Sequence, residues 1–409
     1  MAAADRSRPR DLCLVLLVPL TALLLSTAAD ASTARVRALG GVPDLLEDDA
    51  GVLRWYGALP DYPDQGTLEL GDWAHHLGGA ARGHHAGQGG GVHAALDGAG
   101  RLGTVAMHFG EDLPAPDPGG WYQAMWGRAF GRVNLTAAFR ATSWSDASAP
   151  RDAALRGGSR FLHLLGLGLR WDLGDGAYLD LAADAMESEV DHYRRDDLDA
   201  TTVEDVGGWD SFGVRGRVFH ALNDRLAGVG RLAWFRDIRP VTDAVFDDLV
   251  TLDADHFRGG LGFHLLLDPD NLVVITGDYR RLEDERTARN PFFATWERSW
   301  REWWRIDARV GVESRVLPWL TVRAAATYRR HVNEQQYRYA WSPEFVEADY
   351  AYRVRVDTPV VLGLGLHLGR FDCDVVVNDT APYEIGAGLD GFADGAHTNL
   401  TSVTLRYGW

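Results

Sequence analysis

Apolar and polar residues alternate with a period of two through most of the chain after about residue 60, and amphipathic helical patterns are scarce there. Between Val354 and Leu368 the even positions carry Val354, Val356, Thr358, Val360, Leu362, Leu364, Leu366 and Leu368. The odd positions carry Arg355, Asp357, Pro359, Val361, Gly363, Gly365 and His367, so one face is apolar and the other small or polar. Trp304, Ile306, Ala308, Val310 and Val312 alternate in the same way with Arg305, Asp307, Arg309, Gly311 and Glu313. Leu320, Val322, Ala324, Ala326 and Tyr328 alternate with Thr321, Arg323, Ala325, Thr327 and Arg329. These patterns predict β-strands, each with one greasy face.

A soluble sandwich also alternates, because its strands have one wet face. Several strands here run beyond the common soluble length of about 5 or 6 residues. A tilted membrane strand needs about 9 to 11. The connections alternate too. Tight turns are predicted near Asp97–Gly100, Phe130–Arg132, Gly174–Gly176, Leu222–Asp224, Asp268–Asn271, Leu317–Pro318 and Gly369–Arg370. Long polar connections are predicted near residues 145–158, 190–208, 239–256, 284–300, 334–352 and 379–398. Short turns on one side and long loops on the other are the rhythm of an outer-membrane barrel. The predicted fold is all-β: a transmembrane antiparallel up-and-down β-barrel of about 16 strands, with 14 the next even number.

The two ends of the chain agree with an exported barrel. Arg6, Arg8 and Arg10 precede the apolar run Leu12–Leu25, and Ala29-Asp30-Ala31 offers a small-x-small cleavage site. Residues 1–31 therefore read as a cleaved signal peptide, residues 32–65 as an N-terminal periplasmic segment or small plug, and residues 66–409 as the barrel. At the other end Val403, Leu405, Tyr407 and Trp409 share one face and the chain stops on an aromatic residue. This resembles the C-terminal insertion signal of bacterial outer-membrane barrels. The resemblance implies the barrel-assembly machinery as a partner and the bacterial outer membrane as the location.

Composition narrows the function. The 409 residues carry 41 basic and 58 acidic side chains, a formal net charge of -17, and every basic residue is arginine. Such a balance argues against nucleic acid. A charge facing lipid at mid-depth costs about 2–4 kcal/mol for arginine, so the charged strand residues are expected to face inward. The predicted lumen set is Arg215, Arg217, Arg305, Asp307, Arg309, Glu313, Arg323, Arg329, Arg355, Asp357, Asp372 and Asp374. Two readings compete. These residues line a watery channel and screen small solutes by charge, or they pair across the lumen and hold it closed as a structural or surface-binding barrel. Their mixed signs assign neither anion nor cation preference. Outer-membrane lipids, lipopolysaccharide and a homo-oligomeric partner fit either reading, although no protomer interface is marked.

Residues 36–64 resemble the opening of the outer-membrane fatty-acid and aromatic-hydrocarbon transporter barrels. Leu39-Gly40-Gly41, Asp48-Asp49 and Val52-Leu53 carry the resemblance. The Asn-Pro-Ala motif of that family is replaced by Tyr56-Gly57-Ala58-Leu59-Pro60. The resemblance implies a lumen-plugging segment, and the missing motif separates this chain from the family's lateral transport of apolar substrates.

Catalytic patterns are not found. There is no H-E-x-x-H, G-x-S-x-G or Walker loop, and Gly166-Leu167-Gly168 sits inside a strand pattern rather than at a nucleotide loop. The sequence thus predicts neither an enzyme nor a cofactor. His75, His76, His84, His85 and His93 crowd one Gly-rich stretch without the spacing of a defined zinc site. Cys373 stands alone once Cys13 is removed, and reads as a small buried or lipid-facing residue.

Overall fold

The structure is a computed structural model. It describes residues 32–40, 43–46, 49–71, 87–98, 100–112, 119–145, 156–196, 200–243, 248–290, 295–342, 345–358, 360–377 and 400–409. The expected signal peptide and His75, His76, His84 and His85 lie outside them.

A short helix α1 (Thr33–Ala38) and three single 3-10 turns (Pro43–Leu45, Asp49–Leu53 and Tyr56–Asp61) precede the strands. The strands are β1 (Gln65–Gly71), β2 (Gly87–Ala95), β3 (Thr104–Asp112), β4 (Gly119–Phe130), β5 (Val133–Ser145), β6 (Arg156–Gly174), β7 (Ala177–Asp196), β8 (Ala200–Asn223) and β9 (Leu226–Asp243). There follow β10 (Asp248–Asp268), β11 (Asn271–Asn290), β12 (Thr295–Leu317), β13 (Leu320–Ser342), β14 (Phe345–Asp357), β15 (Val360–Leu368), β16 (Phe371–Val377) and β17 (Leu400–Gly408). Each pairs antiparallel with its neighbours, and β1 pairs with both β2 and β17, which closes the sheet.

β14 and β15 are two halves of one strand. β14 pairs with the far part of β13, from Arg329 to Ser342, and β15 with its near part, from Leu320 to Ala326. Pro359 lies between them in sequence and has no amide hydrogen to give a ladder. Counting the pair once gives 16 barrel strands, the expected number. Closure gives the sheet no first or last strand, so spanning backbone groups can be paired within the wall.

The two faces sort as the alternation predicts. Along β15 exposure and burial alternate, with Val360, Leu362 and Leu364 exposed and Val361 buried. Leu167, Leu232, Leu261, Phe263, Ile275 and Val310 are exposed around the outside. Trp171, Phe212, Tyr279 and Trp409 add exposed aromatics to that face. Asp180, Arg217, Arg231, Asp278, Asp307, Arg309, Arg323, Asp374 and Arg406 are buried. A folded chain in water would bury the first set and expose the second. The inversion, together with closure, defines a transmembrane β-barrel of the bacterial outer membrane.

The tight turns fall where the sequence places them. Most of 145–158 and all of 379–398 lie outside the described residues, and the other four long connections do not remain loops. The predicted connection 190–208 is mostly strand, because β7 continues to Asp196 and β8 starts at Ala200. Predicted connections 239–256, 284–300 and 334–352 likewise hold strands for most of their length. β12 has 23 residues, about 75 Å along the strand at the usual rise. The pairing of β12 with β13 continues to Glu297 and Tyr339, beyond the stretch where apolar and polar residues alternate.

Candidate functional site

The buried face of the barrel and the segment 32–61 form one polar assembly. Glycines let them approach. A Cβ at Gly168 would lie 2.5 Å from the Gly57 nitrogen, and one at Gly57 would lie 2.4 Å from the Arg170 nitrogen. Backbone thus meets backbone, and any side chain at either place would force a shift. This explains the glycines of β6 at Gly166 and Gly168, where Tyr56 also packs.

Ion pairs then clamp the segment around the wall. Ser32 caps α1 by accepting from the Arg35 amide, and its hydroxyl donates to Asp374 at 2.6 Å. Arg35 makes a fork to Glu313, with contacts of 2.7 and 2.9 Å. Arg323 joins Glu313 and Asp374, closing a loop of alternating charge. Asp44 takes Arg54 at 3.1 Å and also pairs with Arg231 of β9. Asp49 takes Arg406 of β17 at 3.0 Å, and Asp61 takes Arg170 of β6 at 2.8 Å. Arg217 donates to the carbonyls of Asp44 and Leu46 at 3.3 and 3.0 Å while pairing with Asp180 at 2.7 Å. Tyr56 donates to Asp184 at 2.8 Å, and Arg215 donates to the Arg54 carbonyl at 2.7 Å.

The predicted lumen residues divide by accessibility. Arg217, Arg309 and Arg323 have only 2–3% of their side chains exposed and are committed to carboxylates or carbonyls. Arg215, Arg305 and Arg329 keep 18–32%. Arg305, Arg309 and Arg329 converge on Asp307, with Arg329 at 3.4 Å. Asp372 accepts from Arg406 at 3.1 Å and from His367 at 2.8 Å. Arg355 is exposed on β14, opposite His331. The Asp357 side chain lies outside the described residues, although its backbone is the partner of Arg329. At the chain end Val403, Leu405 and Tyr407 are half-buried on the outer face, alternating with buried Ser402, Thr404 and Arg406. Cys373 sits half-buried between inward Asp372 and Asp374.

Sequence reading missed Arg258, Arg280, His331 and Arg54 as members of this face. Counting back from the turn after Asp268 would set Arg258 opposite Arg281, and the register shift between Leu266 and Asp268 sets it opposite Arg280 instead. Burial first, then the guanidiniums of Arg280 and Arg215, push Arg54 down to about 9.

No protein-family model matches the chain, and no match is found among curated proteins. Among solved structures it is similar to a TodX deltaS2S3 mutant monoaromatic hydrocarbon channel, at 10% identity over 93% of this chain and 99% of that one, with a TM-score of 0.45. It is similar to the toluene transporter TodX of Pseudomonas putida at 10% identity, covering 93% of this chain and 97% of that one, with a TM-score of 0.41. The alcaligin outer-membrane receptor FauA of Bordetella pertussis shares 6% identity over 85% of this chain and 76% of its own, with a TM-score of 0.42.

Proposed function

We propose that this protein is an outer-membrane channel for small solutes, with a lumen lined by arginine and Asp/Glu and with residues 32–65 as a small plug inside it. The observation that carries the reading is the part-exposed interior arginines of a 16-strand barrel, chiefly Arg215, Arg280 and Arg305. A barrel of that size leaves room for water. Charged groups that keep solvent contact inside it can meet a passing solute.

The second reading, a closed structural or surface-binding barrel without transport, draws on the clamp itself. Arg170, Arg217, Arg231 and Arg406 hold the N-terminal segment at points around the wall. One experiment separates the two. Refolded, heat-modifiable protein is placed in a planar bilayer and single-channel current is recorded. Discrete, stable steps are expected, and Arg305→Ala is expected to change the reversal potential. Silence from a well-folded sample would favour the closed barrel.

A further inference from the structure

Read across the strands rather than along them, the interior carries an inclined band of cations. Arg215 on β8 is the register partner of Ala233 on β9, and Ala233 of Arg258 on β10. Arg258 faces Arg280 on β11, which faces Arg305 on β12. Arg305 faces His331 on β13, which faces Arg355 on β14. Partners on adjacent strands stand about 5 Å apart, and like charges directly opposite destabilise a sheet. The band climbs as it runs. Arg215 lies eight residues before the short-turn end of its strand at Asn223, and Arg355 thirteen before Leu368.

Neighbouring acids offset it only in part, Asp184 at Arg215 and two further aspartates in the middle of the band. Asp278 and Asp307 lie two residues along from Arg280 and Arg305 and accept from them at 2.7 Å. Asp278 is shared with Arg231, and Asp307 with Arg309 and Arg329. β10 has Gly260 at the place where β11 and β12 carry these aspartates. Arg258 accordingly makes no hydrogen bond or ion pair with another described residue. The side chains of Arg280 and Arg305 remain 21% and 22% exposed, so their outer N–H groups can be reached. Five arginines thus share one strip of the inner wall in a protein of net charge -17.

We propose that Arg215, Arg258, Arg280, Arg305, His331 and Arg355 form a ladder that receives small oxyanions, carboxylate or phosphate, and hands them along the wall. The inference rests on the proposed passage of solutes through the lumen and names their charge. A guanidinium offers paired N–H donors that match the two oxygens of such groups. Several donors at short intervals let an anion move without a full return to water.

The test uses the full mature protein in a zwitterionic detergent at low ionic strength. Succinate and inorganic phosphate are titrated separately by calorimetry, and reversal potentials in a KCl gradient are recorded in bilayers. Saturable binding of either anion is expected, and the one that binds identifies the oxyanion. Arg258→Gln is expected to weaken it by about tenfold, the contribution of one charge-assisted hydrogen bond. Arg355→Gln gives a second, independent point at the other end of the band. Arg281→Gln, on the outer face beside Glu302, is expected to leave binding unchanged. Absence of saturable binding, or binding indifferent to Arg258→Gln and Arg355→Gln, would overturn the ladder. Conduction with cation preference would also overturn it while leaving the channel standing. Binding that responds to both substitutions in a protein that does not conduct would keep the ladder and remove the channel.

Discussion

A Cβ placed on Gly363 would stand 2.4 Å from the Cβ of Ala38. The inner wall at β15 is bare where α1 leans on it, and Gly311 plays the same part beneath the Leu39 carbonyl. Gly363→Val is therefore expected to push α1 off the wall, at the cost of about 1–3 kcal/mol usual for overpacking. Trypsin cleavage at Arg35 and Arg37 in liposome-embedded protein reads the displacement. The parent protein should resist cleavage and the variant should be cut, with heat-modifiability kept in both. Equal resistance would mean that α1 is not seated against β15.

Glu313 serves two arginines, Arg35 from α1 and Arg323 from β13. Glu313→Gln would leave both cations without their shared carboxylate. Removing one partner of a buried pair costs on the order of 3 kcal/mol, and here some remaining solvent contact trims the penalty. A lowered urea midpoint is expected, partly restored when Arg35→Gln is added, because the second change removes one stranded charge. Simple additivity of the two losses would argue that the pair is not coupled.

Leu261 marks the middle of the outward face of β10, between Phe257 and Leu265, and is 65% exposed. In water such a residue tolerates a charge. In a bilayer Leu261→Arg should cost about 2–4 kcal/mol at mid-depth. The folded fraction after refolding into liposomes, read by heat-modifiability, should fall. The same substitution at Leu102, an exposed residue of the β2–β3 turn, should be tolerated. An indifferent Leu261→Arg would place this face outside lipid.

The outer face and the tight turns were legible because lipid imposes a single rule on every second residue. The strand number followed from counting the hairpins those turns join, whereas the division of one strand into β14 and β15 was not read from the alternation of Val354–Leu368. The inner ladder was not legible, because it depends on register. β-bulges between Leu266 and Asp268 and between Arg315 and Leu317 shift the pairing, so counting residues back from a turn misaligns the strands by one. A one-residue slip moves a side chain to the other face. Arg258 and Arg280 were thus visible as arginines but not as neighbours. The tall hairpins were read as loops because alternation marks lipid contact, not hydrogen bonding. The three 3-10 turns before β1 have no period at all, and their positions are set by partners such as Arg406 for Asp49 and Arg170 for Asp61.

Trp409 separates a role in assembly from a role in stability. Its amide donates to the Asp64 carbonyl at 3.1 Å, so the backbone fastens the last strand to the residue before β1. Its ring is 49% exposed beside Tyr407, with ring centroids 6.4 Å apart. Trp409→Ala keeps the amide and gives up only part of a buried ring, which should change the unfolding free energy of the refolded barrel by about 1 kcal/mol or less. If the alternating Val403, Leu405, Tyr407 and Trp409 act as the insertion signal, the larger effect falls on delivery in cells. Outer-membrane yield should drop several-fold and unassembled chain should accumulate in the periplasm, while the purified variant refolds normally. A yield that tracks only the small stability change would remove the terminal aromatic from the signal, leaving its part in closing β17 onto β1.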